Sequence, residues 1–192
     1  MEKVKEQLVS LDANCLTYWI EAHGINPIEP VDALADQRVA LLRSYIYAPE
    51  MLCFSMSPTA WRQCLDIPDE SKRANHESWD VLIDTFQVVD TKAVDLRTQE
   101  LLHTASSGGN TPGIIDRNLH DYRILAECEQ FGVDVLLTFD IRFNRVLGPL
   151  ARGTRILRPS EFWTTLDLPR GAPEKRSPAG SNPLAMQNWW RW

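Results

Sequence analysis

Val133-Asp134-Val135-Leu136-Leu137-Thr138-Phe139-Asp140 is the stretch on which the fold turns. Residues 133–138 form a short apolar run rich in β-branched side chains, the composition of a strand buried on both faces. The run ends on Thr138-Phe139-Asp140, so a carboxylate sits just past the strand's carboxyl end. In open α/β sheets that edge is where ligands bind. Upstream, Asp121, Ile124, Leu125 and Cys128 fall at i, i+3, i+4 and i+7, one face of a helix. A carboxylate heading such an apolar stripe is costly unless something positive meets it. Near the amino terminus the pattern returns as Leu8-Val9-Ser10-Leu11 followed by Asp12-Ala13-Asn14.

Outward from these segments, strands are expected over 8–11, 51–54, 87–90, 133–138 and 154–157. Helices are expected over roughly 14–22, 31–47, 68–86, 92–104, 140–147 and 159–166, with another opening at Asp121. A further helix starts at Ser57-Pro58, where Ser57 suits the N-cap and Pro58 the first helical position. Gly24 and Pro27 stop the first helix, and residues 106–113 read as a loop. Strands alternating with helices imply a parallel α/β sheet with helices on its faces. From Pro169 the chain becomes rich in Pro, Gly and Ser, and reads as too poor in apolar surface to order itself. The expected organisation is therefore one domain over 1–168 and a flexible tail over 169–192. That tail closes on Trp189-Trp190-Arg191-Trp192, aromatic residues of the kind that anchor on a partner or on the parent domain.

The 192 residues are ample for a buried core. A net charge of -6 excludes a general nucleic-acid coat protein, whose footprint would be basic. It leaves room for an enzyme acting on nucleic acid, because metal ions neutralise an acidic site. No apolar run reaches the roughly 18 residues of a membrane span. The opening MEKVKEQLVSLD lacks the apolar core and cleavage site of a signal peptide, so a cytoplasmic protein is expected. Cys15, Cys53, Cys64 and Cys128 form no C-x-x-C pair and read as buried free thiols in a reducing compartment, with no structural zinc site.

Asp12, Asp121 and Asp140 each stand at a strand-to-helix junction or helix start, where Asp is a favoured N-cap. Caps are scattered, whereas a metal site needs its carboxylates to converge. If the first and fourth strands are neighbours, parallel topology brings these three acids to one edge. Such a cluster would repel itself and raise its members' pKa values. Oxygen-rich sites of this kind select Mg²⁺ or Mn²⁺, ions that serve phosphodiester hydrolysis by activating water and clamping the phosphate. Asn14 and Thr138 are placed to orient the carboxylates.

The D-x-N after the first strand, the helix opening H-D-Y-R-I-L-A, and L-L-T-F-D-I-R-F together resemble the PIN-domain nucleases, including the VapC-like toxin ribonucleases. The resemblance runs from about Leu8 to Trp163, its middle matched only by element order. It implies a three-layer α/β/α sandwich with a central parallel sheet, and a metal-dependent endoribonuclease using Mg²⁺ or Mn²⁺ on RNA. It assigns the catalytic and metal-binding roles to Asp12, Asp121 and Asp140. In bacteria it often implies the toxin of a toxin–antitoxin pair, hence an antitoxin protein as partner. The family's pattern also expects a Glu on the helix after the second strand, where this chain has Arg62; Asp66 lies one turn further on the same face. With an RNA substrate, Arg62, Arg123 and Arg142 are the expected phosphate contacts. His120 and Asp116 read as exposed or capping residues, and the helix over 31–47 is available as a homodimer surface or as part of an antitoxin groove. Against the nuclease stand three other readings. One is a catalytically inactive PIN fold that binds protein or RNA. Another is an aspartate-based phosphatase, disfavoured because no Lys follows the later strands convincingly. The last is a plain α/β protein whose acids only cap helices.

Overall fold

The structure, a computed structural model, describes residues 6–23, 29–78, 84–86, 90–107 and 119–192. Its strands are β1 (Gln7–Leu11), β2 (Leu52–Met56), β3 (Asp84–Thr85), β4 (Val135–Leu137) and β5 (Arg155–Leu157). They form one parallel sheet in the order β3-β2-β1-β4-β5. The helices are α1 (Ala13–His23), α2 (Ala35–Tyr47), α3 (Pro58–Leu65), α4 (Glu70–Glu77), α5 (Thr91–Ser107), α6 (Leu119–Phe131), α7 (Ile141–Leu147) and α8 (Pro159–Thr165). This is the α/β/α arrangement expected from the alternation of elements.

The period of two along each strand sorts side chains onto two cores. Val9, Leu11, Val135 and Leu137 face one layer with α1, α2 and α8. Leu136 and Ile156 face the other, with Val94 and Leu101 of α5, Ile124 and Leu125 of α6 and Phe143 of α7. Strands β1 and β4 are central, and all three residues of β4 are buried. That explains a run of uninterrupted hydrophobicity there.

Several boundaries differ from the sequence reading. The helix expected over 68–86 ends at Glu77, and Asp84–Thr85 pairs with β2 as an edge strand. The strand expected over 87–90 and the loop over 106–113 fall mostly outside the described residues, as does Asp116. Cys15, Cys64 and Cys128 are buried, but Cys53 is exposed. Among the described residues β3 pairs only with Ser55 and Met56, and the amino half of β2, Cys53 included, has no strand beyond it.

The flexible tail expected over 169–192 is corrected by its packing. Leu184 and Trp190 are fully buried in the core shared with α1, α2 and α8. The Trp190 indole N–H donates to the Leu184 carbonyl at 2.9 Å. Arg43 of α2 donates to the carbonyls of Trp190 and Arg191, at 2.9 and 2.7 Å. The backbone N–H groups of Lys175 and Arg176 both donate to the Ile46 carbonyl. A few large aromatics thus supply the apolar area that average composition hides, the indole N–H groups of Trp190 and Trp192 donating to the carbonyls of Leu184 and Pro169.

Candidate active site

Asp12 follows β1 directly and caps α1. Its Oδ1 accepts from the Cys15 N–H at 2.7 Å, an N-cap bond. Its Oδ2 accepts from the Thr138 hydroxyl at 2.6 Å. The pairing of Leu11 with Leu137 puts these two residues side by side just beyond the strands. Asp12 is buried, and that burial raises its carboxyl above the ordinary range; the Thr138 and Cys15 bonds pull the other way, and the Asp140 charge adds to the rise.

Asp121 is the third residue of α6, so it lies inside the helix. Burial raises its pKa to about 7, with further contributions from the charges of Asp12 and then Asp140. No hydrogen-bond donor or cation among the described residues meets this carboxylate. Asp12 and Asp121 line one cavity of about 340 Å³, together with Asn14, Gln63, Asp66 and His120.

Asp140 caps α7, accepting from the Arg142 N–H at 2.7 Å, while its own N–H donates to Thr138 Oγ1 at 3.0 Å. It lines the adjoining cavity rather than the one shared by Asp12 and Asp121, and acts on both of them through its charge. Thr138 therefore ties Asp12 to the Asp140 backbone. Asn14 is exposed and lines both cavities.

Asp66, the C-cap of α3, lines the cavity of Asp12 and Asp121; Arg62 does not. Arg62 instead lines a groove of about 710 Å³ with Thr59, Thr98 and Arg123, joined to the acidic cavity through Gln63, Asp66 and His120. Arg62 donates to the Pro58 carbonyl and to Thr59 Oγ1, and has no carboxylate partner among the described residues. Arg123 is engaged with Asp95 at 2.8 Å and Glu127 at 3.3 Å. Arg142 lines none of these cavities.

Sequence reasoning missed Glu127. It is fully buried, accepting from both the N–H (3.0 Å) and the hydroxyl (2.7 Å) of Thr59. It thereby fastens the first turn of α3, and with it Arg62 and Asp66, to α6. A Glu on the helix after Asp121 carries no local mark of burial; only the packing of α3 on α6 creates it.

The acidic cavity is lined by carboxylates, by the amides of Asn14 and Gln63, and by the imidazole of His120. Among the described residues no three His, Cys, Asp or Glu side chains form a metal-binding group. Asp12, Asp66 and Asp121 nonetheless give one cavity three carboxylates, a lining that suits Mg²⁺, which keeps several waters and is held by one or two carboxylates. Burial first, and then the charges of Asp12 and Asp140, disfavour the ionised Asp121, and a divalent ion would relieve both, so these residues fit such an ion.

The strand order, the two helical layers and the acids at the carboxyl edge define a PIN-like α/β/α fold. The chain is similar in structure to one from VapBC-1 of nontypeable Haemophilus influenzae, with a TM-score of 0.52, 13% sequence identity, and 82% of this chain and 99% of that chain covered. At that identity the likeness is one of fold. No protein-family profile matches this sequence, and no curated protein does. No helix among the described residues is long and apolar enough to cross a membrane.

Proposed function

We propose that this chain is a divalent-metal-dependent endoribonuclease that hydrolyses RNA phosphodiester bonds. The observation that carries the reading is the pairing of Asp12 and Asp121 in one cavity with no cation among the described residues opposing them. Mg²⁺ or Mn²⁺ would be held by Asp12 and Asp121, with Asp140 adding charge from the side. When bound, such an ion supplies an activated water and stabilises charge developing on the phosphate. Thr138 orients Asp12 through the hydroxyl bond, and Asn14 stands at the cavity mouth beside it. Arg62 is the better phosphate contact because no carboxylate among the described residues neutralises it, whereas Arg123 already serves Asp95 and Glu127. The products would be 5′-phosphate and 3′-hydroxyl ends. The likeness in fold to a VapBC-1 chain supports a further reading as the toxin of a toxin–antitoxin pair, with an antitoxin protein as partner.

Arg62 in place of the expected Glu favours one alternative, an inactive PIN fold that binds RNA or protein. One experiment separates the two. A mixed structured RNA pool is incubated with the protein in Mn²⁺, in EDTA, and with Asp121→Asn protein in Mn²⁺, and melting temperature is followed with and without Mn²⁺. Cutting that requires Mn²⁺ and is lost in the variant supports the enzyme. No cutting, with a melting temperature indifferent to Mn²⁺, overturns it.

A further inference from the structure

Beside the acidic cavity, on the side of Asp140, lies a second cavity of about 410 Å³ between α1 and α2. Asn14 and Thr17 line both, so the two adjoin. Along α1, Asn14, Thr17, Tyr18 and Glu21 fall at i, i+3, i+4 and i+7, the face opposite the buried Cys15, Leu16, Trp19 and Ile20. The walls are Tyr18, Leu34 and Phe139, the Tyr18 and Phe139 rings meeting edge to face at 6.0 Å. Arg38 of α2 lays its guanidinium over the Tyr18 ring, 4.9 Å from its centre, and is held there by Asp32 at 2.9 Å through Nη1.

The chemistry of this cavity is not that of a phosphate site. Glu21 and Asp140 line it, and their charge opposes an anion. What it offers is an apolar wall with a cation stacked on an aromatic ring, and two polar atoms without partners among the described residues. Tyr18 Oη and Arg38 Nε are buried, and neither has a partner among the described residues. Orphaned atoms of this kind are rare in folded proteins and call for an explanation. Unpaired bases of RNA are held by stacking on aromatic rings and guanidinium planes, with hydrogen bonds to their edges. With Nη1 taken by Asp32, the Arg38 fork that remains is Nε and Nη2, the pairing that reads O6 and N7 of guanine.

We infer that this cavity takes one unpaired base of a single-stranded RNA, with guanine preferred, next to the phosphate that sits at Asp12 and Asp121. The inference rests on the ribonuclease reading for its substrate, and adds to it a base-reading subsite made by Tyr18 and Arg38. It predicts cleavage beside an unpaired guanosine rather than within duplex.

The test uses the full chain, with Arg38→Gln and Tyr18→Phe as variants; the second keeps the ring and the packing. Binding of GMP and AMP is measured by titration in EDTA, and Mn²⁺-dependent cleavage is mapped on a single-stranded oligonucleotide with each guanosine replaced in turn by an abasic residue. The expected result is GMP bound more tightly than AMP, affinity for GMP falling roughly ten-fold in Arg38→Gln, and cleavage lost when one particular guanosine is removed. Wild-type cleavage that is indifferent to every abasic replacement, with GMP binding unchanged in both variants, overturns the subsite and leaves the ribonuclease standing. Variant-sensitive GMP binding without cleavage by the wild type supports the subsite and overturns the ribonuclease.

Discussion

The hydroxyl of Thr138 donates to Asp12 Oδ2 at 2.6 Å, joining the carboxyl ends of β4 and β1. The same oxygen accepts from the Asp140 N–H at 3.0 Å, so one side chain sets the spacing of two of the three acids at the sheet edge.

Thr138→Val keeps the shape and removes that oxygen. Asp12 Oδ2 then stays buried without its donor. Unfolding in urea should show a loss of about 1–3 kcal/mol, and the Asp12 carboxyl, already raised by burial, should titrate higher still.

Asp121 makes stability depend on pH. Its carboxyl titrates at about 7 in the fold and near 3.9 in the unfolded chain. Between those values the folded state binds the extra proton, so stability falls as pH rises from about 4 to about 7 and the deficit is complete above that. Asp12 shifts in the same direction. Asp121→Asn should therefore be more stable than wild type at pH 8, by about 1–3 kcal/mol, and nearly equal to it at pH 4. Urea unfolding at the two pH values checks this.

Glu127 should matter more to stability than any acid at the edge. Its carboxylate serves the Thr59 N–H, the Thr59 hydroxyl and Arg123 at once. Glu127→Ala leaves the Thr59 N–H and hydroxyl without their acceptor and Arg123 with Asp95 alone, and should cost on the order of 3 kcal/mol, measured by denaturant unfolding. Glu127→Gln, which keeps an acceptor for Thr59, should lose clearly less.

Trp190 tests whether the carboxyl-terminal segment belongs to the core. It is fully buried and bonded to Leu184, with Arg43 donating to the carbonyls of Trp190 and Arg191. Trp190→Ala should cost about 3–5 kcal/mol. Removing residues 169–192 should cost at least as much and change the near-ultraviolet circular dichroism of the remaining tryptophans. A truncated chain as stable as the intact one would refute the packing.

Much of the sheet was legible because the signals are local. Val135 to Leu137 is buried on both sides and reads as unbroken apolar residues. Ser57 and Pro58 announce α3, and the Ser57 hydroxyl does accept from Ala60 N–H. The end of α4 was not legible, since Ser78 stops the helix without the Gly or Pro that usually marks such an end. The tail misled for the opposite reason: its average composition is that of a disordered segment, while its order depends on two side chains finding an apolar face elsewhere.

The chain's own pattern determined the alternation of strands and helices, the buried central strand, and the placing of Asp12 and Asp140 just past strand ends. These follow from periodicity and capping, which act over a few residues. The tertiary structure alone decided that Asp12 and Asp121 share a cavity while Asp140 lines the next one. It also decided that Asp66 rather than Arg62 lines the cavity of those two acids, that Glu127 is buried beneath Thr59, and that Tyr18 meets Arg38. Each of those relationships depends on how elements distant in the chain pack against one another, and a sequence read locally carries no measure of that distance.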